Sequence, residues 1–316
     1  MRLSVIIPTY KRPIDLERLL KSLSEQLEKP EEILVIVGPG DVESAKVITG
    51  WQSKLPSLKL LHATKASVVH AFNVALPASK EEVVCLLDDD VWCPQDWSLK
   101  IKAAFLDDDK LGAYGGRDKL QLKNEPHLEH PPLAQKIGVF KWNGNLIGNH
   151  HCGIKESPAH IDVLKGCNLS FRRIALQPMQ IDPTLEDRGA EMCWEIDICQ
   201  RIIVAGYHIV YDNDNFVLHY PSVRLTVDKR NDLFSPSGPS HVFNEAYVIA
   251  KFRPFNEIFM FCLRSFTIGT RFKPGLLWSV LHLKKYKWKV LKLPWRNALF
   301  ILRGTSTGLK NQKSFK

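Results

Sequence analysis

Three carboxylates in a row, Asp88, Asp89 and Asp90, close an apolar run from Val83 to Leu87 in the stretch VVCLLDDDVWCPQDW. Side chains alternate along extended backbone, so Asp88 and Asp90 share one side and Asp89 takes the other. Two hard oxygen ligands converging at a strand end make a place for Mg2+ or Mn2+, ions that complete their shells with phosphate oxygens and water. The chemistry implied is the holding of a diphosphate through a metal; a solvated acidic turn is the competing reading. A second pair, Glu195 and Asp197, opens a helical pattern that ends at Gly206. A carboxylate there can take a proton from an acceptor hydroxyl, or merely stabilise the helix dipole. His150 and His151 have no third ligand at a fixed spacing and read as solvated or acceptor-contacting groups.

These groups need a scaffold, and the chain reads as one that supplies it. Val83 to Leu87 suits a strand buried on both faces, as in the centre of a parallel sheet. Leu3 to Pro8, Ile33 to Val37 and Leu58 to His62 read as further strands, the first two running into the polar turns Thr9–Pro13 and Gly38–Asp41. Between them, Leu16, Leu19, Leu20, Leu23 and Leu27 recur at helical spacing, and helices are expected over Glu43 to Lys54 and Ala66 to Leu76. Alternating strands and helices predict an α/β fold with a doubly wound, mostly parallel sheet flanked by helices. In such sheets ligands bind outside the carboxyl ends of the strands, where the three Asp residues fall. Residues 118 to 160, with His127, His130 and His160 among polar residues, read as long binding loops. Tyr207–Tyr211 reads as a late strand, followed by Phe216–His219.

The 316 residues, 45% hydrophobic and 24% charged, are ordinary for a folded chain of one or two domains. Seven scattered cysteines without a CxxC pair argue against a disulfide framework and a structural zinc site, and for a reducing, cytoplasmic setting. The opening MRLSVIIPTYKR is too short in apolar residues for a signal-peptide core. Charge is unevenly placed: from Lys251 onward fifteen Lys and Arg face one acid, Glu257, a net +14, so with +9 overall residues 1–250 carry −5. Basic character confined to one end is not a domain-wide nucleic-acid footprint, and nucleic acid is discounted as a partner.

The order of the pieces SVIIPTYKR, HAFNVAL, LLDDDVWCPQDW, KGCNLSFRR, WEIDICQRIIVAGYHIVY and VLHY resembles the family-2 glycosyltransferases of the GT-A fold, over roughly residues 1 to 220. The resemblance implies a transfer domain over 1–243 and a basic, aromatic-rich helical extension over 244–316. It implies a nucleotide pocket lined by Pro8, Thr9 and Tyr10, with Asn73 before the acidic strand. It places Asp88 and Asp89 at the sugar nucleotide, Asp90 and His219 at the metal, and Gly166 and Asn168 beside donor sugar and acceptor. Glu195, or Asp197, is the implied base of a single, inverting displacement. Two departures stand out: Phe72 replaces an Arg that often precedes the Asn, and the acidic pair that often follows the second strand is reduced to Asp41 after Gly38-Pro39-Gly40. A UDP-sugar donor is favoured.

In the tail, apolar clusters such as Ile258–Phe261 and Leu276–Trp278 alternate with Arg264, Arg271, Lys273, Lys284, Lys285, Lys287 and Lys289. No run reaches the roughly 18 apolar residues of a membrane span. Trp278, Trp288 and Trp295 among cations suit helices lying on an anionic membrane surface, which favours a peripheral location at the cytoplasmic face and a glycan or lipid-linked acceptor used in cell-surface polysaccharide biosynthesis. Packing of this segment on the preceding domain is the competing expectation. A sugar nucleotidyltransferase would need a Gly-rich basic loop after its first strand, where Thr9-Tyr10-Lys11-Arg12-Pro13 stands; a non-catalytic membrane-associated scaffold would have no use for Asp88, Asp90 and Glu195.

Overall fold

Short β-branched runs become the buried centre of a sheet here, and the helical leucine pattern supplies its cover. The computed structural model describes residues 1–122, 131–185, 192–221, 233–234 and 240–312, so His127 and His130 lie outside the described residues. The chain divides into two compact units: Met1–Val139, Ile147–Ile181 and Ile198–Val223 form the first, and Phe140–Leu146, Asp182–Asp197 and Arg224–Lys316 the second.

The first unit is built on β1 (Leu3–Thr9), α1 (Pro13–Ser24), β2 (Glu32–Val37), α2 (Val42–Trp51), β3 (Leu58–His62), α3 (Val68–Ala78) and β4 (Val83–Leu87). β5 (Val91–Trp92), α4 (Trp97–Asp107) and β6 (Leu111–Leu120) follow, then the short β7 (Val139–Phe140), β8 (Leu146–Ile147) and β9 (Ala159–His160), and finally β10 (Asn168–Arg172), α5 (Trp194–Val204) and β11 (His208–His219). The main sheet runs β3-β2-β1-β4-β10-β6-β11-β5, with β9 paired to β11. The expected α/β sheet is borne out: β1 pairs in parallel with both β2 and β4. Every residue of β4 is buried, as an uninterrupted apolar run requires. Leu16, Leu19, Leu20 and Leu23 of α1 pack into the same core, the stripe that a 3.6-residue period produces.

Periodicity could not show the inserted β10, which lies antiparallel between β4 and β6. Nor does the late strand stop at Tyr211: β11 continues to His219, and its register against β6 jumps between Asp212 and Val217, a bulge that local patterning reads as a turn. The Gly115-Gly116 pair of β6 admits this crossing. A Cβ at Gly115 would lie 2.2 Å from the Asn168 carbonyl oxygen, and one at Gly116 2.1 Å from that of Asn215.

The second unit contains α6 (Ser240–Phe252), α7 (Phe255–Thr267), α8 (Leu276–Leu281), α9 (Leu283–Tyr286) and α10 (Leu293–Gln312), and the first turn of α5 falls within it. Val242, Ala246, Ile249 and Ala250 of α6 form a small core with Ile258, Phe261 and Ile301. Gly304 and Gly308, one turn apart on α10, let it approach α6 closely: added Cβ atoms would lie 2.5 Å from the Phe243 oxygen and 2.4 Å from the Tyr247 oxygen. No helix among the described residues is long and apolar enough to cross a membrane.

Candidate functional site

The turn that follows β4 at Asp88–Asp90 points its carboxylates in two directions. Asp89 turns into the fold, accepting from Thr9 Oγ1 at 2.8 Å and from Arg12 at 3.0 Å. Burial comes first among the influences on its carboxyl and, despite Arg12, lifts its pKa to about 7. Asp88 and Asp90 converge with His219, and their ligand atoms lie within 4.8 Å of one another. His219 reaches this position because β11 pairs antiparallel with β5, setting His219 opposite Val91. Its Nε2 lies 3.3 Å from Asp90 Oδ1, and its Nδ1 lies 3.6 Å from Asp118 Oδ2.

The electrostatics of this cluster favour a cation. Burial, then the neighbouring charge of Asp90, raises the Asp88 carboxyl above its ordinary value, as expected of like charges sharing a site. Burial alone would lower His219, yet its carboxylate neighbours Asp118 and Asp90 push it up to about 12. The carboxyl of Asp118 is held down at about 2, because Lys165 and His219 outweigh its burial. Two carboxylates with this spacing fit Mn2+ or Mg2+, and His219 can join them only by giving up the proton those carboxylates hold on it. Asp118, Cys167 and His219 also lie close enough to share an ion. Lys165 already pairs with Asp118 there, and burial pushes the Cys167 thiol up to about 11, away from the thiolate that binds metal.

Other expected site residues occupy the same unit in different ways. Pro8, Thr9 and Tyr10 end β1 and begin its loop. Asp41 caps α2, accepting from Ser44 N at 3.1 Å and from the Lys11 amide. Asn73 clamps one residue from both sides: its Oδ1 accepts from Ile181 N at 2.7 Å and its Nδ2 donates to Ile181 O at 3.0 Å. Gly166 lies in the turn before β10. Asn168 opens that strand with its amide buried, accepting from Trp97 Nε1 at 3.0 Å and donating to Asn215 O at 2.6 Å. Asp41, Asn73 and Asn168 thus spend side-chain hydrogen bonds on holding the loops that end at the sheet's edge. His150 departs from the solvated expectation: it is buried and its Nε2 lies 2.8 Å from Val163 O.

In the second unit, Glu195 and Asp197 both fall in the first turn of α5. Glu195 is half-buried. Asp197 is fully buried and bonds Lys251 Nζ at 2.7 Å. Sequence reasoning missed Asp118, Lys165 and Lys251, and Arg12 as a partner of Asp89. Only Arg12 and Lys165 lay within recognised stretches. The others acquire meaning from partners 47 or more positions away, which no local spacing reveals.

Comparison with known proteins bears out the resemblance. Residues 4–154, just under half of the chain, match the family model described as Glycosyl transferase family 2. An uncharacterized glycosyltransferase of Nostoc is 32% identical over 154 residues, 46% of this chain and 47% of its own length, so the match spans about half of that relative. Among solved structures, Staphylococcus aureus TarS residues 1–349 superpose with a TM-score of 0.58 at 16% identity, over 100% of this chain and 90% of that one. The mannosyltransferase PcManGT from Pyrobaculum calidifontis, in complex with GDP-Man and Mn2+, gives 0.56 at 16% identity, over 99% of this chain and 84% of that one. At such identities the likeness establishes the fold, which is GT-A.

Proposed function

We propose that this chain is a metal-dependent, inverting glycosyltransferase that moves a sugar from a nucleoside-diphosphate donor to a hydroxyl of a glycan or lipid-linked acceptor. The observation that carries the reading is the convergence of Asp88, Asp90 and His219 at the carboxyl end of the central strand. PcManGT in complex with GDP-Man and Mn2+, and TarS in complex with UDP-GlcNAc, have the same fold and support a sugar nucleotide as donor. A uridine nucleotide is the favoured donor and guanosine the other outcome of the test.

Asp90 and His219 would hold Mn2+ or Mg2+, with Asp88 beside them at the donor ribose and sugar. The bound ion supplies positive charge against the negative charge that develops on the leaving diphosphate. Asp89, through Thr9 and Arg12, fixes the loop after β1 against the acidic turn, so that Pro8 and Tyr10 line the nucleotide side. Asp41, Asn73, Gly166 and Asn168 set the loops around the donor. Glu195 takes the proton of the acceptor hydroxyl as its oxygen attacks the anomeric carbon. The half-buried Glu195 suits that role better than Asp197, whose carboxylate is spent on a buried lysine.

The second unit favours a membrane-proximal acceptor. Phe255, Phe259 and Leu263 on α7, and Trp295, Leu299 and Leu302 on α10, recur at helical spacing and are exposed. Trp288 is 75% exposed among the exposed Lys284, Lys285, Lys287 and Lys289. Aromatic and apolar groups among cations match an anionic membrane surface.

Calorimetric titration of UDP, GDP, UDP-GlcNAc and GDP-mannose, with and without Mn2+, into wild type and Asp90→Ala tests the reading. Metal-dependent binding that the substitution removes is the expected result. Binding indifferent to metal and to Asp90 would overturn the diphosphate site, and no binding at all would favour a non-catalytic scaffold.

A further inference from the structure

One buried charged cluster has no part in the chemistry above. Lys251, in the last turns of α6 with its side chain 1% exposed, places Nζ 2.6 Å from Asp182 Oδ2 and 2.7 Å from Asp197 Oδ1. Tyr247, one turn earlier, donates its hydroxyl to Asp182 at 2.5 Å, and Asn311 of α10 donates to the Tyr247 oxygen at 2.9 Å. Asn244, on the same stripe of α6, donates Nδ2 to the Met192 carbonyl at 3.2 Å. One face of one helix therefore grips two points around the start of α5: the residue two before the helix, and the first-turn carboxylate of Asp197.

A cluster of this kind is a poor way to gain stability alone, because desolvating a lysine and two carboxylates consumes most of their attraction. Its value lies in geometry, since charge-assisted hydrogen bonds of this length fix their partners closely. The backbone between the two grips is itself unusual: Cys193 sits at φ 75°, in the left-handed region that residues with side chains rarely adopt. Strain of that sort persists only where the surroundings hold it. Glu195 lies between the gripped points, two residues from each strained or bonded neighbour.

We propose that Lys251 is a positioning residue: by binding Asp182 and Asp197 it fixes the first turn of α5 and so aims the carboxylate of Glu195. The inference rests on the assignment of Glu195 as base. It makes the basic C-terminal segment part of the catalytic apparatus through α6 and α10, in addition to any surface it offers a membrane.

The test is turnover of UDP-GlcNAc and of GDP-mannose with Mn2+, water standing in for the acceptor, by wild type, Lys251→Arg and Lys251→Met. In Lys251→Met, kcat should fall by roughly 100-fold while KM for the sugar nucleotide stays within about twofold, the pattern of a displaced catalytic group. Lys251→Arg, which keeps the charge and its donors, should recover part of kcat. Hydrogen exchange should quicken at the amides of residues 194–198 and not in β1 or β4. Unchanged kcat, or a loss of kcat and nucleotide binding together with faster exchange throughout, would overturn the proposal. Should Lys251→Met not fold, the double variant Lys251→Met/Asp197→Leu, which leaves fewer buried charges unpaired, is read in the same way. A wild type that turns over neither nucleotide counts against the functional reading alone; local exchange at 194–198 then decides the tether, and its absence in the variant sinks it.

Discussion

Each unit of this protein brings together a pair of aspartates, one buried and one half-buried, and the two pairs are treated differently. In the second unit Asp182 and Asp197 share Lys251, which lies within 2.7 Å of both. In the first, Asp88 and Asp90 face one another, and mutual repulsion adds to burial in lifting the Asp88 carboxyl. Their cationic neighbours include His219 at 3.3 Å and Arg12 at 3.4 Å from Asp90, the latter shared with Asp89. Paired carboxylates become structural when the chain supplies its own buried cation. In the reading proposed above, the first pair, which no lysine bridges in this way, serves a bound ion instead.

The comparison can be broken most severely at the first pair. Asp90→Ala should lower transfer by about 100- to 1,000-fold, the scale for removing a group that supports developing charge, with Tm altered by only a few degrees in a thermal scan. The second pair should answer in the opposite sense. Lys251→Met leaves two buried carboxylates without their cation and should cost about 3 to 5 kcal/mol in denaturant unfolding, while metal-dependent nucleotide binding persists in calorimetry. If Lys251→Met proved as stable as wild type, the distinction between the pairs would fail.

A smaller effect sharpens the contrast at the helix crossing. Gly308→Ala forces a Cβ toward the Tyr247 oxygen 2.4 Å away and should cost about 1 to 3 kcal/mol by overpacking, readable as a lower denaturation midpoint. The pH dependence of stability offers a finer test. Hydrogen bonds from Lys251 and Tyr247 and the charge of Lys251 outweigh burial and hold the Asp182 carboxyl below its ordinary value of 3.8. A depressed carboxyl contributes stability that is complete above pH 3.8 and is lost as pH falls below it. The two carboxylates likewise outweigh burial and hold Lys251 above 10.5, so its contribution is complete below pH 10.5 and is lost as pH rises beyond that. Denaturation midpoints in Lys251→Met should therefore be flatter than wild type at both ends of the pH range. The smallest change in stability, within about 0.5 kcal/mol, is expected of Trp295→Gln because the ring is exposed; the readout there is weaker sedimentation with phosphatidylglycerol vesicles.

Much of the first unit was legible before any coordinates. The run Val83–Leu87 reads as a central strand because nothing polar interrupts it, and α1 reads as a helix because its leucines recur with the right period. The acidic turn was legible for the same local reason, and Glu195 and Asp197 were placed correctly at a helix start. Their separate fates were not. Asp197, unlike the half-buried Glu195, is fully buried against Lys251, 54 positions later in the chain. Nor was the engagement of Asp89 by Thr9 and Arg12, at separations of 80 and 77, legible. The antiparallel entry of β10 was equally hidden, since a buried strand has the same pattern in either direction.

The sequence by itself determined which segments could be strands and helices, where carboxylates would gather, and that positive charge belongs to the C-terminal segment, because composition and short-range period are properties of neighbouring residues. Tertiary structure alone decided which carboxylates share one buried lysine and which converge on His219 at the end of the central strand. That outcome depends on distances of a few ångströms between residues far apart in the chain, over which the energy of a buried charge changes most steeply.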